Sequence, residues 1–266
     1  MRCVLFVNPR SGGDEPTVEQ LVDAARALDV EAHVLGREDD LEELALRTEA
    51  DVLGMAGGDG SLGAVAKAAI ERDVPFVCIP WGTRNHFAGD VGVDPDEPLD
   101  ALRAFRDGAE RRIDVGRVRE TVFLNNVSLG MYARLVHRRE RKRRRGEVFA
   151  RLRALLISLR EHRRRERFLV DGQPLLASVV LVANNEYRLD LFSLGTRERI
   201  DAGVLAVYAA SGVRRLRWTE RKAAEVRIES QRGAVRAAVD GEPVTLESPL
   251  ELRIEPQALR LLVARG

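Results

Sequence analysis

A glycine-rich stretch at residues 57–63, GGDGSLG, has the residue types that could bind a phosphate group. It follows the apolar run 52–56 and passes directly into an apolar pattern of helical spacing that begins at Leu62. A strand that turns on glycines into a helix presents free backbone N–H groups and the positive end of the helix dipole, which both attract a phosphate. The alternative is a tight turn in which the glycines only supply positive φ.

Asp59 lies in the middle of this stretch and favours the phosphate interpretation. A carboxylate among amides that bind a phosphate is electrostatically unfavourable unless a cation joins it. Mg²⁺ is the cation that we expect, because it prefers one or two carboxylates together with phosphate oxygens.

Two further polar loops follow apolar runs in the same half of the chain. Residues 80–85, PWGTRN, follow the run 75–79, and residues 8–13, NPRSGG, follow the run 3–7. Open α/β sheets keep their ligand sites at the carboxyl ends of the strands, so we expect these loops to lie beside the glycine-rich stretch in a doubly wound sheet. For residues 8–13 a simple Asn-Pro and Gly-Gly turn is the alternative.

These motifs, taken in order, resemble the diacylglycerol kinase catalytic domain family of lipid kinases. That family includes bacterial lipid kinases and sphingosine kinases and is distantly related to NAD kinases. The resemblance rests on five segments that are similar to the family patterns NPxSG, GGDGT, PxGTxNDFA, Asn/Ala-x-x-x-Gly and DGE, namely residues 8–12, 57–61, 80–88, Asn126–Gly130 and 240–242. The set spans nearly the whole chain and is far more specific than any one member.

The resemblance implies ATP and Mg²⁺ as cofactors and a role for each motif residue. Asp240 matches the family's general base, Asp59 is a second catalytic carboxylate, and Asp59 and Asp114 match the metal-binding carboxylates. A hairpin turn is the alternative for Asp240, because Asp171-Gly172 is the same dipeptide without a catalytic role. The implied nucleotide-binding residues are Asn8, Ser11, Gly12, Gly57, Gly58, Asp59, Gly60, Ser61, Leu62, Gly63, Gly82, Thr83, Asn85 and Glu242.

Several positions depart from the family pattern. Gly63 and Ala64 stand where the family has Asn-Glu, and His86 replaces an aspartate. The family's structural Mg²⁺ loop reads Asp201-Ala202-Gly203-Val204 here, so that site is either lost or supported by Asp201. These changes affect metal binding and turnover more than the nucleotide cradle. His86 either faces the metal or caps or packs the helix that starts there.

Composition and charge indicate a globular protein with two unlike halves. The 266 residues are 45% hydrophobic and 32% charged, which is ample for a core. Residues 1–115 carry 12 Lys and Arg against 24 Asp and Glu, whereas residues 116–266 carry 31 against 18. The basic half therefore suggests an anionic partner. Cys3 and Cys78 indicate buried packing positions in a cytoplasmic protein, and no secretory or membrane-spanning segment is expected.

The periodicities predict the fold. The first half alternates strands, predicted at 3–7, 30–35, 52–56 and 75–79, with helices, predicted at 18–28, 41–46 and, as one short helix, within 95–107. This alternation predicts an α/β N-terminal domain with a parallel sheet, residues 1–115. Short strands with period-2 patterns predict a C-terminal antiparallel β-sandwich domain, residues 116–266, with strands at 122–129, 168–170, 177–183, 205–209, 224–228, 234–239, 250–254 and 259–263. The resemblance implies that the first is a nucleotide-binding domain of the diacylglycerol kinase and NAD kinase type and that the second binds the lipid substrate. Whether the C-terminal strand returns to the first domain is left open.

A helical apolar stripe at 148–159 is flanked by arginine-rich segments, residues 138–145 and 160–167. One interpretation is a solvated helix face with local ion pairs. The other is a surface that docks on anionic lipid headgroups at the inner face of the membrane. Nucleic acid is not the expected partner, because no aromatic residues alternate with the arginines.

The sequence therefore predicts a cytoplasmic ATP-dependent lipid kinase that transfers the γ-phosphate to a hydroxyl of diacylglycerol or a related lipid. The alternatives are an enzyme like NAD kinase, or a catalytically weak regulator that binds nucleotide or lipid. A homodimer is left open.

Overall fold

The computed structural model describes residues 1–12, 15–82, 85–130, 165–189, 194–210 and 218–265. Thr83 and the arginine-rich segment 138–145 lie outside the described residues, as do the apolar stripe and the start of the second arginine-rich segment. No described helix is long and apolar enough to span a membrane.

The N-terminal half forms a parallel sheet with helices on both faces. Its strands lie in the order β2-β1-β3-β4. The strands are β1 (Cys3–Val7), β2 (Val30–Val34), β3 (Val52–Gly57) and β4 (Phe76–Pro80). The helices are α1 (Val18–Ala27), α2 (Leu41–Arg47), α3 (Asp59–Glu71), α4 (His86–Asp90), α5 (Pro98–Ala101) and α6 (Ala104–Asp107).

Burial on two sides explains the continuous apolar runs of β1, β3 and β4. Alternate side chains pack against α2 and α3 on one face and against α1, α5 and α6 on the other. Cys3 and Cys78 are free and buried in these two layers, as the sequence predicted. Thr17 begins α1 with a capping box, since it accepts from Gln20 N–H and Gln20 accepts from its N–H.

The second half is built almost entirely of strands. They are β5 (Ala109–Val118), β6 (Thr121–Phe123), β7 (Asn126–Gly130), β8 (Glu166–Val170), β9 (Gln173–Ala177), β10 (Val179–Asn184), β11 (Tyr187–Leu189), β12 (Leu194–Arg197), β13 (Leu205–Ala210), β14 (Trp218–Ala223), β15 (Glu225–Ser230), β16 (Ala234–Val239), β17 (Glu242–Glu247) and β18 (Leu250–Val263). Strands β14-β13-β10-β7-β16-β17 form an antiparallel sheet, which packs through one apolar cluster on β8, β15 and β18. The predicted combination of an α/β domain and an antiparallel sandwich is therefore confirmed.

The C-terminal strand β18 joins the two halves. Leu261 and Leu262 pair in parallel with Phe76 and Val77 of β4, while the strand also pairs antiparallel with β5 and β15. The sheet of the first half thus continues through β18 into β15, β8 and β9. The C-terminal strand does return to the first domain, and the predicted boundary after Val115 falls inside β5.

Three predicted elements differ from the structure. Residues 250–254 and 259–263 were predicted as two strands but form one, with a register shift between Glu255 and Leu259. A single helix predicted within 95–107 is instead the pair α5 and α6. A single strand predicted at 122–129 is split into β6 and β7, because the N–H groups of Leu124 and Asn125 bind a carboxylate instead of a strand.

Candidate functional site

The carboxyl ends of β1, β3 and β4 bring the three predicted loops into contact. A Cβ atom added to Gly12 would overlap the Trp81 ring, and one on Gly82 would lie 2.6 Å from the Cα atom of Gly58. The close approach explains why glycine occupies these positions. The glycine-rich stretch therefore lies between the other two loops, as the parallel topology predicted.

The loop after β1 is held by its own residues. The backbone N–H of Asn8 donates to Ala56 O at 3.0 Å, and Ser11 N–H donates to Asn8 O at 3.0 Å. The Asn8 side-chain oxygen accepts from Arg10 N–H at 3.1 Å. These bonds are those of a simple turn, and they place Ser11 and Gly12 beside Trp81 without showing a ligand contact.

The start of α3 has no side-chain cap, because its N-cap residue is a glycine, Gly58. Ser61 Oγ donates to Gly58 O at 2.9 Å, which fixes the turn. Leu62 is buried in the core, so only its backbone faces the loop, and Gly63 packs near the carbonyl oxygen of Val122.

Asn85 carries an acceptor without a partner. Its Nδ2 donates to Gly82 O at 3.1 Å, whereas its Oδ1 is buried and has no hydrogen bond within the described chain. Leaving a buried acceptor unsatisfied costs about 1–3 kcal/mol. A ligand that donates an N–H or O–H to Asn85 would recover that cost, which fits the predicted nucleotide contact.

Asp59 ties the glycine-rich stretch to the next loop. It is buried, and its Oδ1 and Oδ2 accept from the N–H groups of Phe87 and His86, each at 3.2 Å. Its side chain also bonds to that of Asn125. Burial raises the pKa of the Asp59 carboxyl, while these donors oppose the rise. The His86 side chain is exposed at the start of α4; its backbone N–H binds Asp59, and the charge of its ring, when protonated, also lowers the pKa of Asp59.

Asp240 lies in the turn between β16 and β17, with its carboxylate directed at three amides. It accepts from the N–H groups of Leu124, Asn125 and Asn126 at 2.7, 2.8 and 2.9 Å. Burial raises the pKa of Asp240 to about 7, the amides oppose the rise, and the charge of Asp59 adds to it. Asp59 and Asp240, the two predicted catalytic carboxylates, are thus close enough for the charge of Asp59 to raise the pKa of Asp240.

The hairpin interpretation of Asp240 is correct for its backbone. Asp240 and Gly241 have φ of 46° and 85°, and Asp171 and Gly172 have 48° and 77°. Both pairs have the left-handed φ that tight hairpin turns favour. The two aspartates differ in their partners, because Asp171 accepts from Arg227 N–H and pairs with the exposed Arg221. The hairpin turn therefore explains why Asp-Gly occurs at both positions. The three backbone amides that bind the carboxylate of Asp240 distinguish it from Asp171.

Glu242 contacts the glycine-rich stretch directly. A Cβ atom on Gly60 would overlap the Glu242 side chain. The hairpin of the second domain and the first turn of α3 therefore meet, so the predicted nucleotide-binding residues Gly60 and Glu242 lie together.

Asp114, the second predicted metal-binding residue, binds different backbone amides from those that Asp59 binds. It is buried, and its Oδ2 and Oδ1 accept from Gly203 N–H at 2.6 Å and Gln257 N–H at 2.8 Å. Asp201 pairs with Arg199 at 3.1 Å. Within the described ranges no group of three or more His, Cys, Asp or Glu is placed to hold a metal ion. Both predicted Mg²⁺ sites stay predictions.

Three residues that sequence reasoning did not single out complete the site: Asp90, Asn125 and Arg197. All three are engaged in one hydrogen-bonded group, in which Arg197 Nε lies 2.7 Å from Asp90 Oδ2 and Arg197 Nη2 lies 3.0 Å from Asn125 Oδ1. No local pattern marks them, because Arg197 is one of 43 basic residues and its partners are distant in sequence.

Comparison with known proteins finds relatives of part of the chain. Residues 2–118 match the family described as the diacylglycerol kinase catalytic domain. A Klebsiella pneumoniae protein named "Probable lipid kinase YegS-like" is 32% identical over 50% of this chain and 46% of its own length. A Bacillus subtilis protein named "Diacylglycerol kinase" is 34% identical over 36% of this chain and 32% of its own length. The matched region thus spans less than half of each of these relatives.

A solved structure extends the similarity of the fold to the whole chain. The crystal structure of a diacylglycerol kinase from Bacillus anthracis superposes with a TM-score of 0.69 and covers 98% of this chain and 96% of that one. At 17% sequence identity this likeness shows the shared fold alone.

Proposed function

We propose that this chain, whose residues 2–118 belong to the diacylglycerol kinase catalytic domain family, transfers the γ-phosphate of ATP to a hydroxyl group of a lipid. The observation that carries the proposal is the contact of Glu242 with Gly60, which brings the hairpin of Asp240 to the turn of Asp59. Asp59 begins α3 at the glycine-rich stretch, and Asp240, with a pKa of about 7, lies in that hairpin between β16 and β17.

Phosphoryl transfer requires positioned phosphates, neutralised charge and a group that takes the proton of the attacking hydroxyl. The uncapped first turn of α3 provides backbone N–H groups and a dipole for the phosphates. Asn85 Oδ1 is available to a donor on the nucleotide. Together with the neighbouring Gly82 and Glu242, these groups form the cradle for ATP.

Asp240 is the proton acceptor in this mechanism. Its pKa of about 7 suits a general base, because such a group is about half ionised at neutral pH and still binds a proton well. The three amides from Leu124 to Asn126 hold its carboxylate in a fixed orientation. The lipid hydroxyl would approach Asp240 from the side of the second domain.

Mg²⁺, when bound, would neutralise the phosphate charge. Asp59 is the carboxylate that would hold it, with phosphate oxygens and water completing the coordination, as Mg²⁺ usually requires. Asp114 is the second carboxylate that would serve the metal; like Asp59 it accepts a backbone N–H at each oxygen, which leaves each oxygen a further lone pair for a cation. The protein would act as a peripheral protein at an anionic cytoplasmic membrane surface.

One observation favours a second candidate, a weakly active regulator that binds nucleotide or lipid. His86 stands where the family has an aspartate, and its ring is exposed, so the site has one carboxylate fewer. Such a protein would bind ATP and transfer little phosphate.

The test is incubation of the purified protein with [γ-³²P]ATP, Mg²⁺ and a panel of lipids in mixed micelles. A labelled lipid is the expected result and identifies the substrate. Labelled NADP, formed in a parallel reaction that contains NAD, would favour the NAD kinase alternative. Bound nucleotide without any labelled product would favour the regulator.

A further inference from the structure

Arg197, the last residue of β12, is buried and makes hydrogen bonds to four residues. Its backbone N–H and Nε donate to the two oxygens of Asp90 at 3.0 and 2.7 Å. Nη1 donates to the carbonyl oxygens of Leu124 and Asn184 at 2.6 and 3.0 Å, and Nη2 donates to Asn125 Oδ1 at 3.0 Å. The planar guanidinium thus fixes several groups in one geometry, which a lysine cannot do.

On one side, Arg197 holds the element that binds Asp59. Asp90 is the last residue of α4, and the first two residues of that helix, His86 and Phe87, donate their N–H groups to the Asp59 carboxylate. Asp90 has only 3% of its side chain exposed and Arg197 none, so water does not compete for this ion pair. Moving Arg197 would therefore move α4 and the two amides on Asp59.

On the other side, Arg197 holds the segment that binds Asp240. Leu124 and Asn125 accept from the guanidinium and donate their backbone N–H groups to the Asp240 carboxylate. Asn125 also bonds to Asp59 through its side chain. Because Asn125 Oδ1 is engaged with Arg197, its Nδ2 is the group that donates to Asp59.

We propose that Arg197 is a positioning residue that, with Asn125, sets the distance and orientation between the carboxylates of Asp59 and Asp240. This inference rests on the proposed function, because the geometry of the two carboxylates affects catalysis only if the protein is a kinase. A guanidinium that only stabilised the fold would not need to touch both of the segments that hold these two carboxylates. Because the Arg197 side chain is fully buried, we expect it to act through the groups that it holds.

The test compares Arg197→Lys and Asn125→Ala with a matched control, Arg117→Lys. Arg117 is also buried and makes two hydrogen bonds to Glu255, at 2.7 and 3.0 Å, between β5 and β18. A misplacement of about 1 Å costs on the order of 100-fold in rate. We expect kcat of both site variants to fall about 10- to 100-fold while KM for ATP changes less than about threefold. The control should retain both constants.

A second readout does not depend on activity. We expect the Leu124, Asn125 and Asn126 amides to exchange hydrogen faster in both site variants, measured by NMR on ¹⁵N-labelled protein, but not in Arg117→Lys. If Arg197→Lys does not fold, Asn125→Ala carries the test, because it removes only the bridging amide and leaves the ion pair with Asp90.

Unchanged kcat with unchanged exchange in the site variants would overturn the inference. An equal loss of kcat in Arg117→Lys would also overturn it, since the effect would then be general destabilisation. If the wild type labels no lipid, the proposed function fails and the exchange rates alone decide: faster exchange confined to the site variants supports positioning, and unchanged exchange refutes it.

Discussion

The pH dependence of phosphate transfer tests the role of Asp240 as a base. Its pKa of about 7 is raised first by burial and then by the charge of Asp59, against the three amides that stabilise the anion. A base must be ionised to accept a proton, so activity should be lost as pH falls through 7. Tyr187, which also lies close by, has a pKa raised to about 12 and stays neutral throughout this range.

The expected size of the effect follows from that pKa. With a pKa of about 7, roughly nine tenths of Asp240 is ionised at pH 8 and roughly one tenth at pH 6. We therefore expect kcat/KM to fall about tenfold between these two values. The pKa of Asp59 is raised as well, so its protonation as the pH falls would reduce activity in the same direction.

The assay is transfer of ³²P from ATP to the lipid substrate between pH 5.5 and 8.5 at saturating Mg²⁺, with ATP binding measured at each pH. The control is ATP binding itself, which should change little because the carboxylate of Asp240 bonds to backbone amides of the protein. A kcat/KM that is flat or higher at pH 6 would refute the assignment of Asp240 as the base.

Three further predictions concern the cradle, the metal and the membrane. Gly60→Ala should weaken ATP binding by about 1–3 kcal/mol, because the added methyl group would overlap Glu242. The control Gly233→Ala should leave ATP binding unchanged, because nothing lies within 4 Å of its added methyl group. Calorimetry measures ATP binding by both variants. His86→Asp should lower the Mg²⁺ concentration for half-maximal activity, and superimposable Mg²⁺ titrations would show that residue 86 does not face the metal. Replacing Arg143, Arg144 and Arg145 by Gln should weaken binding to anionic vesicles in cosedimentation, and wild-type binding should fall as salt rises because the Debye length shrinks from about 10 Å at 0.1 M to about 3 Å at 1 M. Equal binding to neutral and anionic vesicles would favour the solvated-face interpretation.

The parts of the fold that depend on local signals could be predicted from the sequence. Strand β1 was predicted with the bounds that the structure has, and the ends of α1 and α2 were predicted to within one residue. The apolar periodicity and the capping residues that define these elements are local features of the sequence. Edge strands were harder to predict. The predicted strands omitted β17, whose residues are all exposed or half-buried, since a strand that buries little has little apolar pattern.

Long-range contacts could not be predicted in this way. The pairing of Leu261 with Phe76, which returns the C-terminal strand to the first sheet, leaves no trace in either segment alone. The turn of Asp240 has the same backbone conformation as that of Asp171-Gly172, so the dipeptide alone does not separate the two aspartates. Asp240 was identified only by its place in the order of the motifs. Arg197 and Asp90 lie 107 residues apart, and neither has a sequence context that indicates a buried ion pair.

The most direct test of the account is transfer of ³²P from [γ-³²P]ATP to lipid by the wild type and by Asp240→Asn, measured side by side. The account predicts a labelled lipid with the wild type and a rate about 10²- to 10⁴-fold lower with the variant, because an amide cannot take the hydroxyl proton. ATP affinity should be nearly the same in the two proteins. Full turnover by Asp240→Asn, or no labelled lipid with the wild type, would contradict the account.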